Sequence, residues 1–412
     1  VSVMVGTEPR PVPAPLPGLW TFWADRYVSP GVFEPVGPLQ ATSFNCIRRL
    51  SGFGTGDIII VTETASLTRA ELLRLWGWRL WAYYGDPPRP VWCGMPNGIT
   101  DDGRAVISFT LAEVTGYLRK RQWDLAGSYG TLVGSPATHR RYDQVEQVNI
   151  ARDLAAPVAD VGVAITTSPG PGFPRDRSMA FLEGESRGQL LVNLAGVIEG
   201  PEWRTNYYTG NDGLPRAELA IAYPRVGSDL PGLGATVPGT AVDYTLKWDA
   251  DEFRTRTYAV GEAPESVDGV EQPKISHMTD RPQAGFPRLD EVDDWPGVTV
   301  MSTLQERAET SATIYATPTL DASVNVPAIQ PPYGTYGPGD TVHLLITGPL
   351  QPDGFEIEGR LTELSVNARE SRCGWTVSVT EPPGQPRQTL TQQLADLRRL
   401  ATGVFRWGAA PA

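Results

Sequence analysis

Apolar and polar positions alternate in short runs over much of the chain, and turn-forming residues close each run. GDIIIVTE (56–63), WGWRLWAYY (76–84), PVWCGMPNGIT (90–100) and RAVISFTLAE (104–113) predict four strands, with turns at YGDPPRP and at Asp102–Gly103. Between the first two, SLTRAELLRL (66–75) has a serine ahead of a Glu-containing apolar run and predicts a short helix. Residues 110–125 follow as a helix or strand-to-helix transition with Leu111, Val114 and Leu118 on one face. Three further strands are predicted late in the chain, at GDTVHLLITGP (339–349), FEIEGRLTELSVNA (355–368) and GWTVSVTEPP (374–383).

The region between is mixed. The spacing of Val145, Val148 and Ile150 predicts a helix over 141–156 with Pro157 as its stop. TTSPGPGFPRDR (166–177) reads as an exposed loop, and LLVNLAGVIE, AELAIAYPRVG and AVDYTLKWD as short strands. The polar, acidic stretch 262–297 reads as a long surface excursion, and a helix near 300–317 carries Leu304, Ala308 and Ala312 at four-residue steps. A last helix, QTLTQQLADLRRLATGVF, places Leu390, Leu394, Leu397 and Leu400 on one face. Prolines at 9, 11, 13, 15 and 17 predict an extended arm over 1–19, held by a neighbouring subunit or packed along its own domain.

The two β regions echo each other. WRLWAYYG, PVWCGMPNGIT and AVISFTLAE parallel TVHLLITG, EIEGRLTELSV and WTVSVTEPP, with a mid-strand glycine in each second member, Gly94 and Gly359. A glycine there suggests a bulge or the bend that closes a small barrel. The expected fold is mainly β with an α+β insert: two related small β-barrels separated by a mixed α/β middle region, then a C-terminal helix. Its segments are the arm 1–19, a first barrel 20–125, a middle domain 126–300 with long loops, a second barrel 301–385 with its preceding helix, and a C-terminal helix and tail 386–412.

Composition narrows the function more than the fold. With 43 Gly and 38 Pro in 412 residues, a helical bundle is excluded. A net charge of −12 argues against duplex binding, which needs a clustered positive field. No apolar run reaches the roughly 18 residues that cross a membrane, and the N-terminus lacks a signal-peptide pattern. Cys46, Cys93 and Cys373 are too scattered for a disulfide framework or a zinc site and are expected as small apolar strand residues.

Catalytic chemistry finds little support. His139, His277 and His343 have no metal-ligand spacing; His343 is expected as a packed strand residue and His139 in a solvated basic loop. SGFGTGD (51–57) precedes a strand rather than opening a helix, so it reads as a turn and not a phosphate loop. Acid clusters at 101–102, 249–252 and 290–294 read as solvated turns, with a glycosidase pair as the sharper alternative. YLRKRQW (117–123) is the one concentrated basic stretch and reads as the polar face of a helix at a domain or subunit boundary. No catalytic residue, cofactor or metal is expected.

The order of these segments resembles the central tail-tip, or baseplate hub, proteins of long-tailed bacteriophages, particularly the minor tail proteins of phages infecting actinobacteria. The resemblance rests on FNCIRRLSGFGTGDIII, the W-C-G strand, TGYLRKR, AELAIAYPRVGS with Tyr223, Pro224 and Gly227, TLQERA, and the opening GDTVHLLI with Gly339 and Asp340. It covers about residues 20–385. It implies two related barrels per chain and a homotrimer whose six barrels adapt a sixfold tail tube to a threefold tip, closing or gating the channel for DNA ejection. The implied partners are further copies of the chain, a distal tail protein or tail-tube ring, a tape measure protein, and tip fibres or receptor-binding proteins. Genomic DNA would pass through the lumen without specific binding. The resemblance implies a structural role in the virion's tail tip, with Tyr117, Leu118, Arg119 and Arg121 as an assembly interface, in a protein made in the host cytoplasm. The rival reading is a receptor- or carbohydrate-binding tail protein that exposes tryptophans along a groove, with a glycan hydrolase behind it.

Overall fold

The computed structural model describes residues 19–62, 65–101, 106–122, 139–168, 174–180, 186–196, 200–263, 273–282, 286–295, 298–316, 319–328, 332–348 and 351–378. The Pro-rich arm, apart from Leu19, the Asp102–Gly103 turn and the C-terminal helix lie outside them. Contacts divide the described chain into two units, one comprising residues to Thr245 with Ala322–Ser378, the other Leu246–Asp321. The middle segment expected over 126–300 contributes to both.

The first unit opens with β1 (Trp20–Ser29), β2 (Val32–Leu39), β3 (Ala41–Arg49), β4 (Thr55–Val61), α1 (Arg69–Leu72), β5 (Trp78–Tyr84), β6 (Arg89–Asp101) and β7 (Val106–Glu113). These strands form because branched and aromatic residues alternate with polar ones: Phe44 and Cys46 on β3, and Ile107, Phe109 and Leu111 on β7, all point into the core. A 3-10 helix over Val114–Lys120 ends the region. Helix α1 is capped by Thr68 rather than the serine, because Glu71 reaches back to complete a capping box.

Next come β8 (His139–Glu146), α2 (Gln147–Ala155), β9 (Val163–Ser168), β10 (Pro174–Ala180), α3 (Arg187–Ala195), β11 (Glu202–Thr209) and β12 (Pro215–Ala222), then β13 (Asp229–Val237) and β14 (Asp243–Asp249). Strands β11, β12 and β9 make a small separate sheet. Its core is continuous with the first β region: Phe53, Trp81, Met95 and Leu118 pack with Ile150, Leu154, Leu191, Leu194, Trp203 and Leu219.

The second unit holds β15 (Arg256–Val260), β16 (Ser276–Asp280), β17 (Asp290–Asp294) and α4 (Met301–Ile314). Ala259 of β15 packs on Leu304 and Ala308, so the predicted apolar face of α4 is the face that is buried. Beside it, the buried Arg254 donates to Asp293 at 2.7 Å and to Ser311 at 2.8 Å. The chain re-enters the first unit along β18 (Thr319–Pro327) and ends with β19 (Thr341–Gly348), β20 (Gln351–Asn367) and β21 (Arg372–Ser378).

The two β regions share a neighbour order. The first runs β3-β4-β7-β6-β5-β1 and the second β14-β18-β21-β20-β19-β13, within one 13-stranded sheet joined by antiparallel pairing of β20 to β3. The three strands matched in sequence, β5, β6 and β7 against β19, β20 and β21, thus hold equivalent places. One difference is that β1 runs antiparallel to β5, whereas β13 runs parallel to β19. Another is the connection: residues 50–54 join β3 to β4, while the second unit fills the corresponding gap between β14 and β18. Gly94 and Gly359 both sit at close crossings. A Cβ on Gly94 would lie 2.0 Å from the Trp92 ring, and one on Gly359 2.6 Å from Val377 and 2.8 Å from the Ser378 carbonyl.

Several expectations are corrected. Among the described residues no ladder closes either β region into a barrel; the two regions share one sheet because the interior strand β20 pairs with β19 over its first part and with β3 at Glu363–Asn367. The start of LLVNLAGVIE is helix rather than strand: Ser186 accepts from the Gln189 N–H to cap α3, whose helical spacing buries Leu190, Leu191 and Leu194. The helix expected over 141–156 begins only at Gln147, since His139–Glu146 pairs with β10. Pro157 does not end the fold's helical course but sits in the first turn of a 3-10 helix over Ala156–Val161, where its missing N–H costs nothing. The loop predicted over 166–177 includes the end of β9 and the start of β10. The acidic excursion contains β16 and β17, both paired to β15; exposed polar edges carry no apolar alternation to read.

Candidate functional site

The most concentrated polar chemistry in the first unit is a buried charged junction on β11. Alternate residues of a strand face opposite sides, and β11 uses both sides. Glu202 and Arg204 address the second β region, while Trp203, Thr205 and Tyr207 address the first.

On one side, Glu202 is 0% exposed and Arg360 of β20 only 6%. Arg360 donates from both terminal nitrogens to the two Glu202 oxygens, Nη2–Oε2 being 2.8 Å, and from Nη2 to the carbonyls of Val226 at 2.8 Å and Gly339 at 3.1 Å. The Val226 N–H donates to Glu202 at 3.0 Å. Asp340 accepts from Arg204 at 2.8 Å and from the N–H groups of Ser228 at 2.9 Å and Gly337 at 2.8 Å. Gly227 and Gly339, with φ of +96° and +94°, face each other so closely that a Cβ on Gly227 would lie 2.2 Å from the Gly339 carbonyl oxygen. The YPRVGS and GDTVHLLI segments, distant in sequence, therefore meet here.

On the other side, Glu113 accepts from the Gly54 N–H at 2.8 Å and the Tyr207 hydroxyl at 2.7 Å. Burial pushes its carboxyl above the usual range, opposed by those two hydrogen bonds. Arg48 donates to the Thr205 carbonyl at 2.8 Å and lies 5.2 Å from the Tyr207 ring centre. Ser51 and Trp203 exchange bonds through the Ser51 N–H at 2.8 Å and the Ser51 hydroxyl at 3.3 Å.

A carboxyl held up in the folded state binds its proton more tightly than in the unfolded chain, so stability falls as pH rises from the ordinary value, 4.5, toward the folded one. Glu113→Gln mimics the protonated group. It should unfold at higher denaturant concentration than wild type at pH 8, with the gap closing as pH falls below 4.5; a gap that does not change with pH would contradict the assignment.

The predicted assembly segment is mostly inward-facing. Leu118 is fully buried in the core. Tyr117 and Arg121 reach Asp160 of the 3-10 helix over Ala156–Val161, at 3.4 Å and 3.7 Å. Arg119 is exposed, with its guanidinium 5.0 Å from the Phe53 ring centre. The three cysteines are free, buried and on strands; burial raises all three thiols, Cys373 to about 12. His343 is half-exposed on β19, 3.8 Å from Asp229, rather than packed, and His139 begins β8 rather than lying in a loop. Sequence reading missed Arg48, Glu113, Glu202, Arg204 and Arg360. Arg48 was findable, since it shares strand parity with the buried Phe44 and Cys46.

Among the described residues no group of three or more acidic, His or Cys side chains is placed to hold a metal, and no helix is long and apolar enough to cross a membrane. No family model and no curated protein matches the chain. Solved structures do. A 43 kDa tail protein of prophage MuSo2 from Shewanella oneidensis is 12% identical, covering 87% of this chain and 98% of its own at a TM-score of 0.55. A tail protein from Neisseria meningitidis MC58 is 13% identical, covering 89% of this chain and 99% of its own at a TM-score of 0.53. At these identities the likeness is one of fold, and the chain has the fold of these two tail proteins over nearly its whole length.

Proposed function

We propose that the chain is a structural component of a phage-type tail, and specifically its trimeric tip hub. The observation that carries this reading is the repeated strand order within a fold shared with two tail proteins, one of them from a prophage. Two equivalent β regions per chain give six in a trimer, which lets a threefold tip meet a sixfold tube. The lumen is closed or gated before DNA ejection, and a chain of net charge −12 gives DNA in transit a wall that repels rather than traps it. The partners are a distal tail protein or tube ring, a tape measure protein and tip fibres, in a phage of actinobacteria. Exposed Arg119 supplies a contact to an acidic neighbour. The role is mechanical, not catalytic.

The tryptophans favour this reading over a sugar-binding groove: Trp20, Trp78, Trp81, Trp92, Trp203 and Trp375 are buried, and Trp23, at 44%, is the most exposed of those whose side chains are described. Sedimentation equilibrium of the purified chain tests it. A mass three times 44.7 kDa is expected; a monomer at every concentration would remove the trimeric hub.

A further inference from the structure

A cavity of about 210 Å³ opens beside the junction, and Arg48, Arg204, Asn206, Tyr208 and Gly337 line it. Arg48 is only 5% exposed, yet among the described residues no carboxylate lies within ion-pair distance of it, and Glu113 acts on it only at longer range. Its one hydrogen bond goes to the Thr205 carbonyl, its Nε–H has no partner, and its Nη2 packs against Gly337. A buried guanidinium without a counter-charge is costly, and such charges are normally matched. Two acids, Asp340 and Glu218, share the cavity wall, but neither reaches Arg48, and each accepts hydrogen bonds from other groups. Asp340 is taken by Arg204 and two backbone N–H groups, Glu218 accepts from Thr166 at 2.8 Å, and Glu113 is taken by Gly54 and Tyr207.

We infer that this cavity binds a small oxyanion, a phosphate or a carboxylate, against the Arg48 guanidinium. Arginine's planar fork suits either group. The polar side chains of Asn206 and Tyr208 give the wall further hydrogen-bonding groups. Because Arg48 comes from the first β region, Asn206 from β11 and Gly337 from the second, a bound oxyanion ties the three segments together and stabilises the folded chain by linkage.

The test is thermal unfolding of the full chain in sodium phosphate and in sodium acetate, each against sodium chloride of equal ionic strength, with equilibrium dialysis of labelled phosphate as a direct readout. A saturable rise in Tm beyond chloride is expected: with phosphate if the natural occupant is inorganic, with acetate alone if it is a carboxylate. Asn206→Asp places a fixed carboxylate on the wall opposite Glu218, its cross-strand neighbour, and should abolish the response by repelling the added anion. Arg48→Gln should abolish it as well. If neither anion exceeds chloride, or if dialysis shows binding unchanged in both variants, the inference is overturned.

Discussion

Arg360→Ala should lower the unfolding free energy by about 3–5 kcal/mol, the range for stripping one partner from a buried ion pair. The reason is what the guanidinium leaves behind. Glu202, fully buried, would lose its counter-charge, and the carbonyls of Val226 and Gly339 would lose their shared donor. Denaturant unfolding should show a lower midpoint with the slope unchanged, since the folded compactness is the same. Replacing both partners, Glu202→Leu with Arg360→Met, removes the uncompensated charge and should recover most of the loss. If the single variant costs under 1 kcal/mol, the junction does not hold the β regions together in the way described.

Gly227→Ala should be as damaging, about 3–5 kcal/mol, at the severe end for one substitution. Two causes add: an L side chain at φ +96° is strained, and its Cβ would lie 2.2 Å from the backbone oxygen of Gly339. Backbone cannot rotate away as a side chain can. Gly213 separates the causes, since it has φ +78° but nothing within 4 Å of a Cβ. Gly213→Ala should therefore cost only about 1 kcal/mol, the conformational part alone. Equal costs at the two sites would mean that close approach to Gly339 is not the constraint.

Strands β4–β7 and β19–β21 were legible because alternation and turn residues agree there, whereas β1, β2, β3, β13 and β18 were not singled out. Trp78–Tyr84, Arg89–Asp101 and Val106–Glu113 lie where the pattern places them. The matching of β5–β7 with β19–β21 was legible too, but not the outcome of the pairing. Register between β3 and β20 depends on contacts more than 300 residues apart in sequence, such as Arg49 with Glu363, which local pattern does not encode. Helix α3 was misread because a window starting at Leu190 omits its cap, Ser186. The junction escaped for a different reason. Glu202, Arg204 and Arg360 look like ordinary solvated charges until distant segments bury Glu202 and Arg360 against one another and half-bury Arg204 against Asp340.

The central claim is that this duplicated β framework builds the tip of a tail. Averaged electron cryomicroscopy of particles released by cells carrying the encoding gene tests it most directly. The account predicts density for three copies around the channel axis at the tip, their six β regions ringed beneath the tube. Density for the chain on the capsid or along the tail shaft, or a ring of six copies at the tip, would contradict it.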